Sequence, residues 1–459
     1  MARGPGATSR QRLMAGLSPH KVEMLKALVS ASPDELVRSL EHAISADGAG
    51  GPLAAIGAMV EAEAAERALR FAVLSPVAPL FRPSAAAGAP AWPRSALKAL
   101  WSALCAESPA LVREAADALH YHDPDDPAPE VFDTLCLLAA TGLEARVSPG
   151  YAAAAALCDD PRPGGAAEVV LCLQMAPIVR PIVAQLGDWL QRMTEDRRAI
   201  ARLAYRDATA LADGAGPLLF EMLAAHMRQP SMILRIISAV MDHPGERYVA
   251  GSELARFGER TLQEIEAHLD RLRVMKPAAG ISAGREAGAA VQHAIDAAGE
   301  LEASVQLSRD GPWGQRLTKL KQSIAVTVEA RLREIEEAVA HALPTQKLRY
   351  SARLTRTAPK FSEPPDDPSV TWALGLLSFA DAVRPCAGDG GFGSVRGKVL
   401  ETVGKRIDQY VEDVLEQIRL GDVEDDDRAR EFLGVAASLL ELARDDKSAA
   451  IVRRRAAAA

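Results

Sequence analysis

The sequence predicts an all-α protein, in which an N-terminal array of short antiparallel helices precedes a C-terminal bundle of longer amphipathic helices. Its composition, with 48% apolar and 25% charged residues, is typical of a globular chain. Aromatic residues make up only 4%, so Leu and Ala must fill most of the core, which favours helices over strands. Apolar residues also recur at steps of three and four, and no long segment alternates with the period of two that a half-buried strand requires.

Helix starts in the first third of the chain are marked by serine–proline pairs, at 18–19, 32–33, 108–109 and 148–149. Each pair places a side-chain acceptor at the N-cap and a proline, whose φ angle is fixed, in the first helical turn. After Ser32, a glutamate at position 35 completes a predicted capping box. Short connections between these helices predict antiparallel neighbours.

Stretches rich in Pro, Gly and Ala divide the chain, because regular helices are disfavoured there. We expect a disordered basic tail at 1–17, a helical-hairpin array at 18–275 with a hinge at 82–93, a linker at 276–288, and a helical bundle at 289–459 with a proline-rich connector at 357–369. The linker has no apolar spacing for docking, which predicts a protease-sensitive hinge. The connector, with four prolines, is predicted to be extended and exposed.

The predicted C-terminal bundle has long apolar stripes at helical spacing. One stripe runs through 317–343, and a second runs through 400–418 and ends before Gly421, a residue type that commonly ends helices. Acidic residues at 425–427 begin a third helix, where the helix dipole favours negative charge. These stripes can cover one another, so we expect residues 289–459 to fold alone.

Charge and hydropathy exclude several classes of protein. With 53 basic and 61 acidic residues the net charge is −8, which disfavours nucleic acid as a partner. Basic clusters at 3–12, 197–198 and 453–455 have no interleaved aromatic residues and are interpreted as solvated helix ends and tails. The longest apolar stretch, 169–189, contains Arg180 and two prolines, so we expect no membrane insertion. The abundance of Ala and Arg is typical of bacterial coding.

The five cysteines are scattered through apolar helical segments, and no C-x-x-C motif occurs. This pattern predicts buried, reduced thiols in a reducing compartment. The first residues lack the apolar segment of a secretory signal. Both observations predict a cytoplasmic protein.

One segment, 388–395 (GDGGFGSV), is similar to the glycine-rich loop of protein kinases, G-x-G-x-F-G-x-V, which covers nucleotide phosphates with backbone amides. The resemblance is confined to these residues, because the chain has no V-A-I-K, H-R-D or D-F-G motif and the sequence after the segment has a helical pattern. We therefore predict a loop between two helices. The alternative is an anion site at 388–398, where free amides at the next helix start act with Arg396 and Lys398.

A second segment, 120–126 (HYHDPDD), holds two imidazoles and three carboxylates. Its His-Asp adjacency resembles HD-type metal phosphohydrolases, an all-α class, and implies a metal site at His120, His122 and Asp123. Such sites need further ligands from other helices, and the sequence has no second group of this kind. The two histidines would also point about 200° apart on a helix, so they converge only where a helix has ended. The competing interpretation is a solvated turn before the next helix.

The sequence contains no G-x-S-x-G, H-E-x-x-H or phosphate-loop motif, and it assigns no catalytic, cofactor-binding or metal-ligating residue. We therefore expect a non-catalytic cytoplasmic interaction or scaffold protein that binds another protein, because stacked helix pairs form extended surfaces. The alternative is an all-α metal-dependent hydrolase that uses His120, His122 and Asp123. The C-terminal helices also offer a surface for homo-oligomers.

Overall fold

The computed structural model describes residues 19–47, 52–83, 88–123, 125–159, 165–241, 244–349, 355–423 and 425–459. Helices account for 78% of the structure, and the described ranges add one two-stranded sheet. The predicted all-α class is therefore confirmed. The predicted tail at 1–17 and the middle of the predicted hinge, 84–87, lie outside the described residues.

The chain forms two compact units, residues 1–226 and 227–459. The helices of unit 1 are α1 (Pro19–Ala31), α2 (Asp34–Asp47), α3 (Pro52–Leu74), α4 (Arg94–Glu107), α5 (Pro109–Tyr121), α6 (Glu130–Ala145), α7 (Pro149–Cys158), α8 (Gly165–Gln174), α9 (Ala176–Ala184), α10 (Leu186–Gln191), α11 (Glu195–Leu211) and α12 (Ala215–Ala225).

Unit 2 contains longer helices and the sheet. Its elements are α13 (Ile233–Val240), α14 (Glu246–Ala250), α15 (Ala255–Arg273), α16 (Ile281–Ser304), α17 (Pro312–Ala342), β1 (Thr345–Arg349), β2 (Thr355–Pro359), α18 (Asp367–Ala382), α19 (Gly393–Leu420), α20 (Asp426–Ala443) and α21 (Asp446–Ala458). Short 3-10 turns precede α13 and α16, at Pro230–Met232 and Pro277–Ala279.

The predicted helix starts are confirmed at two of the serine–proline pairs and differ at a third. α5 begins at Pro109 and α7 at Pro149, where the Ser148 hydroxyl accepts a hydrogen bond from the Tyr151 amide at 3.5 Å. The predicted capping box is wrong, because α2 begins at Asp34 and Ser32 lies one position too early to be its N-cap. The Ser32 hydroxyl instead donates to the carbonyl oxygen of Leu28 at 2.8 Å. Ser32 therefore stabilises the end of α1 rather than the start of α2.

A buried arginine joins three helices of unit 1. Arg180 on α9 is 7% exposed, and its guanidinium donates to the carbonyl oxygens of Ala72 and Val73, each at 2.8 Å, in the last turn of α3. It also forms an ion pair with Asp133 on α6 at 2.7 Å. The last carbonyls of a helix have no partner within the helix, so Arg180 supplies the donors that the end of α3 lacks.

The predicted stripes form the core of unit 2. Every apolar residue of the stripe through 317–343 is buried on α17 or just after it. On α19, the stripe residues Val403, Ile407 and Val414 are buried, and the helix ends at Gly421, whose φ of 69° is left-handed. The Asp425 carboxylate accepts from the Arg428 amide and caps α20. The three predicted long helices are thus confirmed.

The segment predicted as a linker, 276–288, is largely helical and packed within unit 2. It contains a 3-10 turn and the first two turns of α16. Gly284 and Gly288 are buried, and a methyl group at either position would overlap α18, at Ser378 or Ala382 respectively. The absence of side chains therefore allows the two helices to approach closely. The sequence predicts instead a segment that does not pack against its neighbours.

A β-hairpin contains the first residues of the predicted connector, 357–369. β1 and β2 pair antiparallel, with Thr345 opposite Pro359. The connector is extended here, as predicted, but Ala358 and Pro359 are buried, so the expected exposure is wrong at these positions. The pairing with β1 provides hydrogen-bond partners that a free connector would lack.

Within the described ranges, no single helix combines the length and hydropathy needed to cross a membrane. The consecutive helices α8 and α9 reach that length together, but they meet at a bend of 63°.

Candidate interaction surface

The residues of the predicted metal segment lie at an open corner after α5. His120 is exposed and its ring contacts Tyr121 edge-on, with centroids 4.9 Å apart. His122 is half-buried directly after the helix, and the Asp123 carboxylate accepts from the Asp125 amide at 3.1 Å, as in an Asx turn. No three His, Cys, Asp or Glu side chains in the described part of the chain are placed to hold a metal ion.

The glycine-rich segment forms a tight loop between α18 and α19. The Gly390 amide donates to the Cys386 carbonyl at 2.8 Å, and Gly391 has a φ of 78°, which a residue with a side chain rarely adopts. Arg396 donates to the Ala380 carbonyl at 2.7 Å, so its guanidinium serves the last turn of α18. Burial lowers the pKa of Arg396, and the nearby charge of Arg384 adds to this. Of the two cations expected to hold an anion, Arg396 is thus engaged within the fold, whereas Lys398 is exposed.

The described basic clusters are also engaged within the chain. Arg197 donates to the carbonyl oxygen of Arg192 at 2.6 Å, which closes the turn before α11. Arg455 pairs with Glu412, with Nη2 and Oε2 2.7 Å apart. The cluster at 3–12 lies outside the described residues. These contacts agree with the interpretation that such arginines lie at helix ends.

All five cysteines are free thiols, and four of them are buried. Burial is the largest cause of their raised pKa values, which reach about 11 for Cys105 and Cys386 and about 12 for Cys136 and Cys158. A thiol with such a pKa is protonated at neutral pH and is a weak nucleophile. The cysteines therefore pack as small apolar side chains.

Among the exposed apolar residues of unit 1, four lie on the successive helices α1 and α2. Met24 and Leu28 are one turn apart on α1 and are 54% and 57% exposed. Leu36 and Leu40 are one turn apart on α2 and are 49% and 37% exposed. We call these four residues the α1–α2 surface. Single exposed apolar residues are ordinary, but two such pairs on successive helices are typical of a binding surface.

The other faces of the same helices are packed on α3. Val29 of α1 and Val37 of α2 are buried in a cluster with Val60 of α3, and Ile56 and Ala64 pack against that cluster. The inward contacts of both helices are thus made by valines, so the leucines beside them remain available to another molecule.

Arg67 on α3 fixes the position of both helices. Its guanidinium donates to the carbonyl oxygens of Val29 and Ser30 at the end of α1, at 3.0 and 3.2 Å, and to the Asp34 carboxylate at the start of α2, at 2.6 Å. Glu63 pairs with the same side chain at 2.8 Å. Burial opposes the charge, but the two carboxylates outweigh it and raise the pKa of Arg67. Arg67 therefore holds the end of α1 and the start of α2 against α3.

Charged residues of both signs surround the apolar side chains. Glu23 and Lys26 form an ion pair at 3.3 Å on α1, and Glu35 and Arg38 are exposed on α2. An apolar centre with a polar, mixed-charge rim is the usual anatomy of a protein–protein interface.

Comparisons with protein-family models, with curated proteins and with solved structures find no match to this chain.

Proposed function

We propose that this protein is a non-catalytic cytoplasmic interaction protein that binds another protein chain through the α1–α2 surface. One observation carries this proposal. Each of the two helices exposes a pair of apolar residues one turn apart, and Arg67 holds both helices against α3. The matching partner is an amphipathic helix with apolar residues at i and i+4, which would fit this spacing. The described geometry offers no comparable support for the hydrolase alternative.

The four apolar side chains would supply part of the binding energy of a specific complex, and the polar rim would have to supply the rest. Covering each half-exposed side chain would contribute about 1 kcal/mol, so the four together would contribute about 4 kcal/mol from area alone. Because Arg67 holds both helices against α3, they lose little conformational freedom on binding, which preserves more of this energy as affinity.

The test uses tagged full-length protein as bait in extracts of the organism that encodes it, followed by cross-linking and identification of bound proteins. Three baits are compared: the wild type, Leu28→Gln/Leu36→Gln, and the control Ile451→Gln. Ile451 is 47% exposed on α21, so the control removes a similar apolar group from a helix of unit 2. Glutamine retains a high helix propensity and removes the apolar surface.

We expect a partner that is recovered with the wild type and with Ile451→Gln but depleted with the double variant. Losing two of the four contacts, about 2 kcal/mol, corresponds to an affinity reduced about 30-fold. Equal recovery of every bound protein with all three baits would contradict the proposal, as would the absence of any reproducible partner.

A further inference from the structure

Unit 2 contains a cleft of about 590 Å³, a size typical of small-molecule sites. Three helices and one loop form its walls: α13 with the turn before it, the C-terminal half of α16, the middle of α17, and the loop that precedes α19. The loop contributes Asp389 and Gly390 of the glycine-rich segment. A methyl group on Gly390 would overlap Phe392 and Ile295, so glycine allows the loop to lie against α16.

Two of the four carboxylates that line the cleft are neutralised by cations of the cleft itself. Glu300 pairs with Arg235, with Oε2 and Nη2 2.7 Å apart, and also accepts from the Ser304 hydroxyl. The Lys321 ammonium donates to both carboxylate oxygens of Glu302, each at 2.9 Å. These two ion pairs leave no excess charge.

The other two carboxylates, Asp296 and Asp389, have no cationic partner among the described residues. Asp296 accepts from the side-chain amides of Gln229 and Gln292, at 3.2 and 2.7 Å, which position the carboxylate but carry no charge. Asp389 is exposed at the loop. Both carboxylates line the same cleft. Burial, and then the charges of these two residues, raise the pKa of the Cys386 thiol to about 11.

A buried hydrogen-bond acceptor beside Asp296 also lacks a donor among the described residues, but it belongs to Gln292, which does not line the cleft. The Oε1 atom of Gln292, bonded to the same carbon as the Nε2 that contacts Asp296, is buried and has no donor within the described part of the chain. Buried acceptors without a donor are uncommon in folded proteins. Within the cleft itself, Asp296 and Asp389 are therefore the groups that attract positive charge.

The remaining lining of the cleft is apolar. Met232, Ile295 and Ile324 contribute aliphatic side chains, and Ala298 and Gly299 leave room above α16. A hydrated inorganic ion would gain nothing from such walls, whereas a chain of methylene groups would be desolvated against them. An anion is disfavoured, because the uncompensated groups are both acids.

We propose that this cleft binds a small aliphatic polyamine, a chain with two or more protonated amines separated by methylene groups. One ammonium group would contact Asp296 and a second would contact Asp389, while the methylene groups lie against the aliphatic side chains. Ammonium groups donate strong, charge-assisted hydrogen bonds to carboxylates. The cleft is separate in its residues from the α1–α2 surface.

The proposal is tested by calorimetric titration of the full-length protein with spermidine and putrescine at physiological ionic strength. Butanediol, which has the chain length of putrescine without its charges, and magnesium chloride are titrated in parallel. The variants are Asp296→Asn/Asp389→Asn, the single Asp389→Asn at an exposed side chain, and the control Glu431→Gln. Glu431 is an exposed acid on α20 that does not line the cleft.

We expect saturable binding of one spermidine per chain, unchanged in Glu431→Gln and weakened at least about tenfold in each variant that removes a cleft carboxylate, since a hydrogen bond to a charged group is worth at least about 1.5 kcal/mol. Thermal melting establishes that each variant folds. If the double variant does not fold, the single Asp389→Asn decides the question. Absence of saturable spermidine binding, comparable binding of magnesium or butanediol, or equal affinity in the folded carboxylate variants would overturn the proposal.

Discussion

The two units of this protein hold their helices together in different ways. Unit 1 has many short helices, and at its centre the buried Arg180 supplies hydrogen bonds to the end of α3. In unit 2 the helices α16, α17 and α19 contain 24, 31 and 28 residues, and apolar stripes and glycine contacts bring them together. Every helix end leaves unpaired backbone groups. The end of α3 in unit 1 depends on a buried arginine, whereas in unit 2 the buried Glu246 carboxylate accepts from the Trp313 amide at the start of α17.

The largest expected effect concerns where unit 2 begins. We predict that a fragment of residues 227–459 is soluble and unfolds cooperatively, whereas 289–459, the fragment expected from the sequence to fold alone, does not. The shorter fragment lacks α13, α14, α15 and the first two turns of α16. It therefore leaves α17 and α18 without helices that cover them in the intact unit. Circular dichroism during thermal melting of both fragments provides the measurement.

A cooperative transition of 289–459 at the same temperature as that of 227–459 would contradict this prediction. It would show that α17 to α21 form a complete core, and that unit 2 does not need the helices before residue 289.

The next effect separates polar from apolar stabilisation. We predict that Arg180→Met lowers the free energy of unfolding by about 3 kcal/mol, because it leaves the Asp133 carboxylate and two carbonyl oxygens without their donor. In unit 2, the matched change Arg396→Met removes one hydrogen bond from a half-buried guanidinium and is expected to cost about 1 kcal/mol. Urea denaturation of the full chain measures both.

If both arginine variants lose the same free energy, the two units depend equally on buried arginines, and the proposed difference between them is wrong.

The helices of unit 2 could be predicted because their signals are local and repeated. The stripe of α17 continues over many turns, and α19 ends with a glycine followed by an acidic N-cap at Asp425. Each of these signals depends on neighbours within a few residues, so no knowledge of the tertiary structure is needed.

Tertiary contacts determined the segments that were predicted less well. Gly284 and Gly288 suggest a loop when only their neighbours are considered, yet in the fold they allow α16 to contact α18. The prolines of 357–369 indicate an extended chain but give no information about pairing with β1. Local propensity is a weak predictor where packing requires a small residue.

The two proposed binding sites also depend on tertiary contacts that the sequence does not show. Leu28 and Leu36 have the helical spacing expected of a core, and the sequence does not show that Val29 and Val37 make the inward contacts instead. Asp296 and Asp389 are far apart in the chain, and no motif connects them. The fold brings them to one cleft, so sequence reasoning alone could not identify it.

The smallest expected effect tests the close approach of α16 and α18 in unit 2. We predict that Gly284→Ala lowers the free energy of unfolding by about 2 kcal/mol, since the new methyl group would overlap Ser378 and the backbone of Gly375, and the helices must move apart. The control is Gly434→Ala on α20, where a methyl group meets no atom within 4 Å. This change should raise stability by about 0.5 to 1 kcal/mol, because alanine loses less backbone entropy in a helix. Opposite signs in urea denaturation would locate the tight contact between α16 and α18, whereas stabilisation by both substitutions would show that these helices are not in close contact and that unit 2 is held by its apolar stripes alone.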